Sequence, residues 1–289
     1  MSDLQDFLAV LDLTPLAEGQ DESPIRRFTA ESLDEGHGVV FGGQLLAQTV
    51  VAGASAMPDK EVKSLHTVFA RGASVGAPLD IDVEVLHQGR ALGCASVTIR
   101  QGDRVCTRST VLLQAPDPDL IRHQPPMPEV GSPESFDRRP VASWWDVRIV
   151  DEVDIADPEL VGPAELGVWS RFPDAPGDLT TSQALLAYAS DGFLIGTAMR
   201  PHAGVGQSQA HVSISTTVLS QMITFHEPFD ASAWLLLMHE SPYAGRGRSY
   251  GRADAFTEDG RLVASYVQEN MIRDFPEGRA PAAGERSKF

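Results

Sequence analysis

The segment LTTSQALLAYASDGFLIGTAM, residues 179–199, is largely apolar and carries one charge, on Asp191. In a helix, residues three, four, seven and eleven positions apart share a face, which places this carboxylate among apolar side chains. The residues on that face are Ala184, Ala187, Tyr188, Asp191 and Ile195. Burying an unpartnered carboxylate costs several kcal/mol or forces it to take up a proton. The possible explanations are a salt bridge, a hydrogen bond at a helix end, or catalysis.

A second segment, VVFGGQLLAQTVVAGASAM at residues 39–57, contains no charged residue. Its length raises the question of a membrane span, but polar residues and glycines interrupt the apolar run. These are Gly42, Gly43, Gln44, Gln48 and Thr49. A helix that is apolar nearly all round in a soluble chain is enclosed by other structure. We therefore predict two buried helices, at residues 44–56 and 182–195.

Each predicted helix is followed by four β-rich runs with turn residues between them. The runs are 62–70, 79–86, 92–99 and 105–113 after the first helix, and 212–225, 234–238, 248–256 and 262–272 after the second. The turn at 258–260 corresponds to the turn at 101–103. This order predicts an α+β protein made by duplicating a unit of about 150 residues, a helix followed by an antiparallel meander.

Seven prolines within residues 115–141 separate the two units. This composition is typical of an extended linker. The predicted division is an N-terminal domain at 1–114, a proline-rich linker at 115–141 and a C-terminal domain at 142–289. Residues 1–13 have the pattern of a short amphipathic helix.

The chain is strongly acidic, with 40 Asp and Glu residues against 23 Lys and Arg residues and a net charge of −17. This charge repels nucleic acids and anionic membrane surfaces, so neither is an expected partner. The N-terminus has no basic run before its apolar residues, unlike a secretory signal. We therefore expect a cytoplasmic protein.

The two cysteines support the same location. A two-residue turn at 102–103 would place Cys94 opposite Val111. It would place Cys106 opposite Ile99, so the two thiols would not face each other. We therefore expect no disulfide between them, which fits a reducing compartment.

The motifs of several other chemistries are missing from the sequence. There is no G-x-S-x-G nucleophile motif, no H-E-x-x-H and no Cys or His pair at zinc spacing. The stretch GRGRSYG at 245–251 lacks the spacing and the strand-to-helix context of a dinucleotide-binding loop. We expect no metal and no cofactor.

Five stretches together resemble a known family. They are VFGGQLLAQ (40–48), LHTVFARG (65–72), LLAYASD (185–191), FHEPF (225–229) and LVASYVQENMIR (262–273). They are similar to the acyl-CoA thioesterase II (TesB-like) family of double-hotdog proteins. The resemblance implies two tandem hotdog domains, each a long central helix wrapped by an antiparallel sheet. It also implies hydrolysis of fatty acyl-CoA to a free acid and CoA, a role in lipid metabolism.

The resemblance implies that Asp191 activates a water molecule and that Gln268 holds this water through its amide. The family's third contact is a Ser or Thr hydroxyl, but the matching strand here reads Val-Leu-Ser-Gln at 218–221. Thr217, one place upstream, is the favoured replacement. Ser220 is the alternative, since the two alternate on an undistorted strand. No acid occupies the first helix, so we expect one active site per chain.

The CoA portion of the substrate carries phosphates, which guanidinium groups match in geometry. The candidates are Arg71, Arg90, Arg200, Arg246, Arg248 and Arg252.

We expect the histidines of the strands, His66, His202 and His226, to be structural. The free edges of the sheets predict a homodimer or larger homo-oligomer. Because of the altered strand at 218–221, a hotdog protein that binds acyl-CoA without hydrolysing it, or a hotdog hydratase, remains an alternative.

Overall fold

The computed structural model describes residues 3–16, 25–36 and 38–275. Within these residues the chain forms one antiparallel sheet and four α-helices. The helices are α1 (Leu4–Leu11), α2 (Gly42–Ala56), α3 (Leu179–Ser190) and α4 (Leu194–Met199). The strands are β1 (Thr14–Pro15), β2 (Ile25–Ala30), β3 (Glu61–Phe69), β4 (Leu79–Gln88), β5 (Leu92–Gln101), β6 (Arg104–Gln114), β7 (Arg138–Ala142), β8 (Trp145–Ile149), β9 (Glu165–Arg171), β10 (Ile214–Phe225), β11 (Leu235–Gly245), β12 (Arg248–Thr257) and β13 (Leu262–Asp274). None of the described helices has the length and apolarity needed to cross a membrane.

The two halves of the chain have the same strand order. The sheet runs β1-β2-β4-β5-β6-β3-β10-β13-β12-β11-β9-β8-β7. The series β2-β4-β5-β6-β3 of the first half repeats as β9-β11-β12-β13-β10 in the second. Strands β3 and β10 join the halves, with Leu65 opposite Ile223. Helix α2 packs on the strands of the first half and α4 on those of the second. The predicted double hotdog fold is therefore confirmed.

The second long helix is broken, and the prediction of one continuous helix at 182–195 is wrong. Helix α3 ends at Ser190, with Asp191 as its C-cap, and α4 begins at Leu194. The break lets α4 pack down on β12. A Cβ at Gly251 would lie 2.7 Å from Leu194 Cδ2, so the glycine leaves room for this contact.

An aromatic cluster joins α1 to the second half of the chain. Phe7 is fully buried, and its ring centroid lies 4.6 Å from that of Tyr188. Trp144, Trp145 and Phe172 complete the cluster around the same tyrosine. Burying a phenylalanine contributes about 1.5–3 kcal/mol. The predicted amphipathic helix is thus confirmed over its described residues, and it packs against the second half of the chain.

The proline-rich segment lies along the second half of the chain. Residues 115–132 contain no helix or strand. Gln124 Nε2 donates to the Gly260 carbonyl over 2.7 Å, and its Oε1 accepts from Leu262 N over 3.1 Å. Strand β7 begins inside the predicted linker, so the end of the segment extends the sheet. The division into domains stays a prediction, and residues 276–289 of the C-terminal one lie outside the described residues.

Both cysteines are free. Cys94 lies opposite Leu112, one residue away from the predicted Val111. A register irregularity beside Ile99 leaves Cys106 as an extra residue and shifts the pairing by one. The predicted partners are wrong for that reason, although the thiols remain unpaired.

Candidate active site

The end of α3 meets the beginning of α2, so the two halves of the chain come together at their helices. A Cβ at Gly43 would lie 2.4 Å from the carbonyl oxygen of Tyr188, closer than a nonbonded carbon and oxygen can approach. A Cβ at Gly42 would lie 2.7 Å from Asp191 Oδ2. The two glycines therefore allow Asp191 to lie against the N-terminus of α2. Backbone N–H groups at a helix N-terminus favour negative charge.

Asp191 and Gln268 are 77 positions apart in the sequence and meet in the fold. Gln268 Nε2 donates to Asp191 Oδ1 over 3.4 Å. Asp191 is 9% exposed and Gln268 is fully buried. Among the described residues, no donor reaches Gln268 Oε1. The structure brings together the two side chains that the resemblance assigns to catalysis, and their roles stay predictions.

Strand β10 brings a third amide to this group. Gln221 lies directly opposite Gln268 in the register of β10 and β13. Gln268 Nε2 donates to Gln221 Oε1 over 2.8 Å. Gln221 Nε2 in turn donates to Ser190 Oγ over 2.5 Å, and Ser190 Oγ donates to the Ala187 carbonyl over 2.8 Å. All three side chains are buried.

The two candidate hydroxyls both lie on the outer face of β10. Thr217 pairs with Met271. Ser220 pairs with Glu269 and donates to its Oε2 over 3.1 Å. A register irregularity between Val218 and Ser220 adds one residue to the strand. Because of this extra residue, Thr217 and Ser220 point to the same face of the sheet. The structure therefore does not bring either hydroxyl to the inner face of the sheet.

Sequence reasoning missed Gln221, although the strand carries a signal for it. Phe225 and Ile223 are buried, and period-two alternation places Gln221 on the same face. The Ser or Thr position of the family motif is Val218, which also points inward, opposite the buried Asn270. A valine has no hydroxyl to offer, so Gln221 is the residue of β10 that reaches Gln268.

Tyr188 lies one helical turn before Asp191 and ties the loop in front of α2 to α3. Its hydroxyl donates to Glu35 Oε1 over 2.6 Å. Burial raises the pKa of Tyr188 well above its usual range, and the charges of Glu35 and Asp191 add to the effect. The hydroxyl therefore stays protonated and available as a donor.

The buried glutamines of α2 have a structural role. Gln44 Oε1 accepts from Leu33 N over 3.0 Å, and its Nε2 donates to the Glu31 carbonyl over 3.3 Å. Gln48 Nε2 donates to the carbonyls of Val10 and Glu31 over 2.9 and 3.0 Å. These bonds fix the approach to α2, and no acid lies on this helix.

The histidines named from the sequence lie apart from this group. His66 is exposed on β3. His226 Nε2 lies 2.9 Å from Ser265 Oγ, and burial, followed by the charge of Lys63, lowers the pKa of His226. Within the described part of the chain, no cluster of His, Cys, Asp or Glu side chains could hold a metal ion.

A pocket of about 250 Å³ lies at the far end of α4. Its lining is mostly apolar and includes Met199, Val205, His202 and Arg248. Arg248 is thus a candidate arginine that lines a cavity. Arg252 instead pairs with Glu240 over 2.7 Å on the surface.

Two tandem hotdog units, with a buried carboxylate and amide where their helices meet, define the class of double-hotdog proteins. Models of the N-terminal and C-terminal domains of acyl-CoA thioesterases match residues 29–114 and 122–272. The chain belongs to the acyl-CoA thioesterase II (TesB-like) family, and its activity is the hydrolysis of acyl-CoA thioesters.

Individual relatives agree with this assignment. Acyl-CoA thioesterase 2 of Haemophilus influenzae is 32% identical over 266 residues, which cover 85% of this chain and 92% of that protein. The structure of the tesB protein of Mycobacterium avium subspecies paratuberculosis has a TM-score of 0.78 at 26% identity, covering 93% of this chain and 99% of its own. Acyl-CoA thioesterase II TesB2 of Mycobacterium marinum has a TM-score of 0.77 at 29% identity, covering 94% and 100%. These relatives do not favour the alternative of a non-hydrolytic binding protein or a hydratase.

Proposed function

We propose that this acyl-CoA thioesterase hydrolyses its substrate with a water molecule held between Asp191 and Gln268. The supporting observation is that Gln268 donates to the Asp191 carboxylate through Nε2 and also carries a buried acceptor oxygen, Oε1, that no donor of the described residues reaches. A water molecule that donates one hydrogen to each residue is fixed in orientation. Its lone pairs remain free to attack a carbonyl carbon.

In the proposed reaction, Asp191 takes a proton from the water as its oxygen bonds to the thioester carbon. The carbonyl becomes an oxyanion, which the positive end of α2 at Gly42 and Gly43 stabilises. The C–S bond then breaks and the proton held by Asp191 goes to the departing sulfur. A thiol with a pKa of about 8.5 leaves readily, so no strong general acid is needed. The products are a free carboxylic acid and CoA.

The test is a thiol-release assay over acyl-CoA chain lengths with wild type, Asp191→Asn and Gln268→Ala. Asp191→Asn keeps the shape of the side chain and removes the base, so we expect kcat to fall roughly 10²-fold or more. Gln268→Ala removes positioning alone, and we expect a smaller loss, about 10-fold.

Glu269→Gln is the matched control for this assay. Glu269 follows Gln268 on β13 but points to the outer face, where it is exposed. We expect wild-type kcat in this variant and circular dichroism spectra that match wild type in all three. Full activity in a folded Asp191→Asn variant would overturn the proposed mechanism.

For the CoA portion of the substrate, we propose that Arg248 contacts a phosphate. Arg248 lines the pocket beyond α4 together with His202. Ile272, which lines the same pocket, lies four residues after Gln268 on β13, a distance of about 13 Å along a strand. An extended pantetheine arm has a comparable length. Arg248→Ala should raise KM and leave kcat unchanged.

We also propose a homodimer or larger homo-oligomer. Its support is two exposed apolar side chains on the outer face of the central strands, Val68 (48% exposed) and Met222 (42% exposed). Light scattering checks this, and a lone species of 31.1 kDa would contradict it.

The free thiols of Cys94 and Cys106 support a cytoplasmic location. There the enzyme would act in fatty acid metabolism.

A further inference from the structure

Four hydrogen bonds connect the end of α3 to the carboxylate of Asp191 through two strands. Along the series, Ser190 Oγ donates to the Ala187 carbonyl (2.8 Å), Gln221 Nε2 to Ser190 Oγ (2.5 Å), Gln268 Nε2 to Gln221 Oε1 (2.8 Å) and Gln268 Nε2 to Asp191 Oδ1 (3.4 Å). We call Ser190 and Gln221 the orienting pair.

We propose that the orienting pair determines which way the Gln268 amide faces. The Ser190 hydroxyl has one hydrogen, and the carbonyl of Ala187 takes it. Towards Gln221 it can only accept, so Gln221 must present Nε2 to Ser190. Gln221 then presents Oε1 to Gln268.

Gln268 has one favourable orientation beside this oxygen. Turning Nε2 towards Gln221 and Asp191 makes two hydrogen bonds. Turning Oε1 that way would set it against an amide oxygen and a carboxylate, with both bonds lost. Buried polar groups left without a hydrogen-bond partner destabilise this second orientation. Gln268 Oε1 is therefore directed away from both partners, as an acceptor.

This inference rests on the proposed function, because the oriented oxygen is the one that receives a hydrogen from the attacking water. Ser190 and Gln221 are 0% and 1% exposed. They act through Gln268 and are positioning residues. Val218 occupies the position of the family's hydroxyl. In its place, the orienting pair orders the water by fixing the orientation of the Gln268 amide.

The experiment compares kcat, KM and pH profiles of wild type, Gln221→Leu, Gln221→Glu and Ser190→Ala. In Gln221→Leu the amide of Gln268 loses its anchor, and we expect kcat to fall about 10-fold with KM unchanged. Ser190→Ala should lower kcat about 3-fold, because the Gln221 amide can then flip and exchange its Oε1 and Nε2. Ser190→Thr retains the hydroxyl and should restore kcat.

Gln221→Glu gives a signature that a purely structural role would not produce. A glutamate still accepts from Gln268 Nε2, so the maximal kcat should be kept. Its negative charge near Asp191 disfavours a second carboxylate. The acidic limb of the kcat profile should therefore move to higher pH, by about one unit or more.

Gln183→Leu is the matched control, because Gln183 is a buried glutamine of α3 that donates to the Val62 carbonyl over 2.9 Å. Its loss should lower the unfolding temperature without changing kcat. Asp191→Asn, measured alongside, separates the two proposals. If Asp191→Asn is inactive while Gln221→Leu and Ser190→Ala keep wild-type kcat, or while the limb of Gln221→Glu does not move, the orienting pair is overturned and the mechanism stands. If Gln221→Leu fails to fold, Ser190→Ala and Gln221→Glu decide the outcome.

Discussion

The two halves of the molecule carry different polar pairs on corresponding strands. In the first half, β3 and β6 place Thr67 opposite Ser109, with the buried hydroxyls 2.8 Å apart. In the second half, β10 and β13 place Gln221 opposite Gln268, and the amides bond over 2.8 Å. The same topology thus supports either a pair of hydroxyls or a pair of amides.

A buried polar pair can form part of a site only if it keeps hydrogen-bonding groups that are not used within the pair. A hydroxyl has one hydrogen, so the pair of hydroxyls has two hydrogens, uses one of them internally and keeps a single donor. Each amide has two hydrogens and a carbonyl oxygen. After Gln221 and Gln268 have bonded to each other, the surplus reaches Ser190 and Asp191 and still leaves Gln268 Oε1 available. We infer one active site per chain, in the second half.

The largest expected effect comes from separating the helix ends where the halves meet. Gly43→Ala places a methyl group 2.4 Å from the Tyr188 carbonyl. Displacing α2 by an ångström from Asp191 should lower kcat/KM about 10²-fold. It should also lower the free energy of unfolding by about 1–3 kcal/mol. Gly72→Ala is the control, because its Cβ would meet only Val39 at an ordinary 3.6 Å. Equal activity in the two variants would contradict the account.

A second buried pair in the second half is expected to act on stability through pH. His239 Nδ1 lies 3.1 Å from the Leu166 carbonyl and Nε2 lies 2.7 Å from the Tyr266 hydroxyl. Burial lowers the pKa of His239 to about 4. The unfolded chain binds a proton first as the pH falls below about 6.5, so stability is present above that pH and is lost on the way down to 4.

Urea unfolding at pH 7 and pH 5 measures this loss. The contribution of His239 to the free energy of unfolding should fall by about 2 kcal/mol between these values. The fall should be smaller by that amount in His239→Phe, whatever the stability of the variant at pH 7. An equal fall in wild type and variant would show that His239 is not the group responsible.

The pair of hydroxyls in the first half should be replaceable with little effect. When both partners of a buried bond become apolar and keep their shapes, the change in stability is under about 1 kcal/mol. We therefore expect the double variant Thr67→Val with Ser109→Ala to keep its stability and wild-type kcat. Loss of kcat in a folded protein would show that the first half also contributes to catalysis.

The smallest expected effects are at the two hydroxyls favoured from the sequence. Thr217 and Ser220 lie on the outer face of β10, so Thr217→Val and Ser220→Ala should change stability by no more than about 0.5 kcal/mol. The same assay should give kcat within twofold of wild type, roughly the scatter that such a small energy produces. A large loss in either variant would return that hydroxyl to the site.

Much of the fold follows from local features of the sequence. Two charge-free helices, meanders with turn residues and a repeated turn at 101–103 and 258–260 predict the duplicated hotdog. Asp191 stands out because it is the single charge of its segment, and Gln268 because it lies within a family motif. These signals involve near neighbours in the chain, which a sequence displays directly.

The rest depends on contacts that no local pattern encodes. The extra residue in β10 before Ser220 puts Thr217 and Ser220 on the same face, whereas an undistorted strand would put them on opposite faces. Its position is set by the pairing with β13. The packing of α4 on β12 after the break depends on the close approach of Leu194 to Gly251. Gln221 becomes part of the site only because the register places it opposite Gln268. Each of these features joins residues that are at least 30 positions apart.

The central claim is that water held by Asp191 attacks the thioester directly, and a single turnover in oxygen-18 water tests it. With enzyme in excess over acyl-CoA, direct attack predicts oxygen-18 in the product acid from the first turnover and an unlabelled Asp191 peptide by mass spectrometry. If the carboxylate were instead the nucleophile, the first acid released would carry oxygen from Asp191. An unlabelled product together with oxygen-18 in the Asp191 peptide would contradict the account.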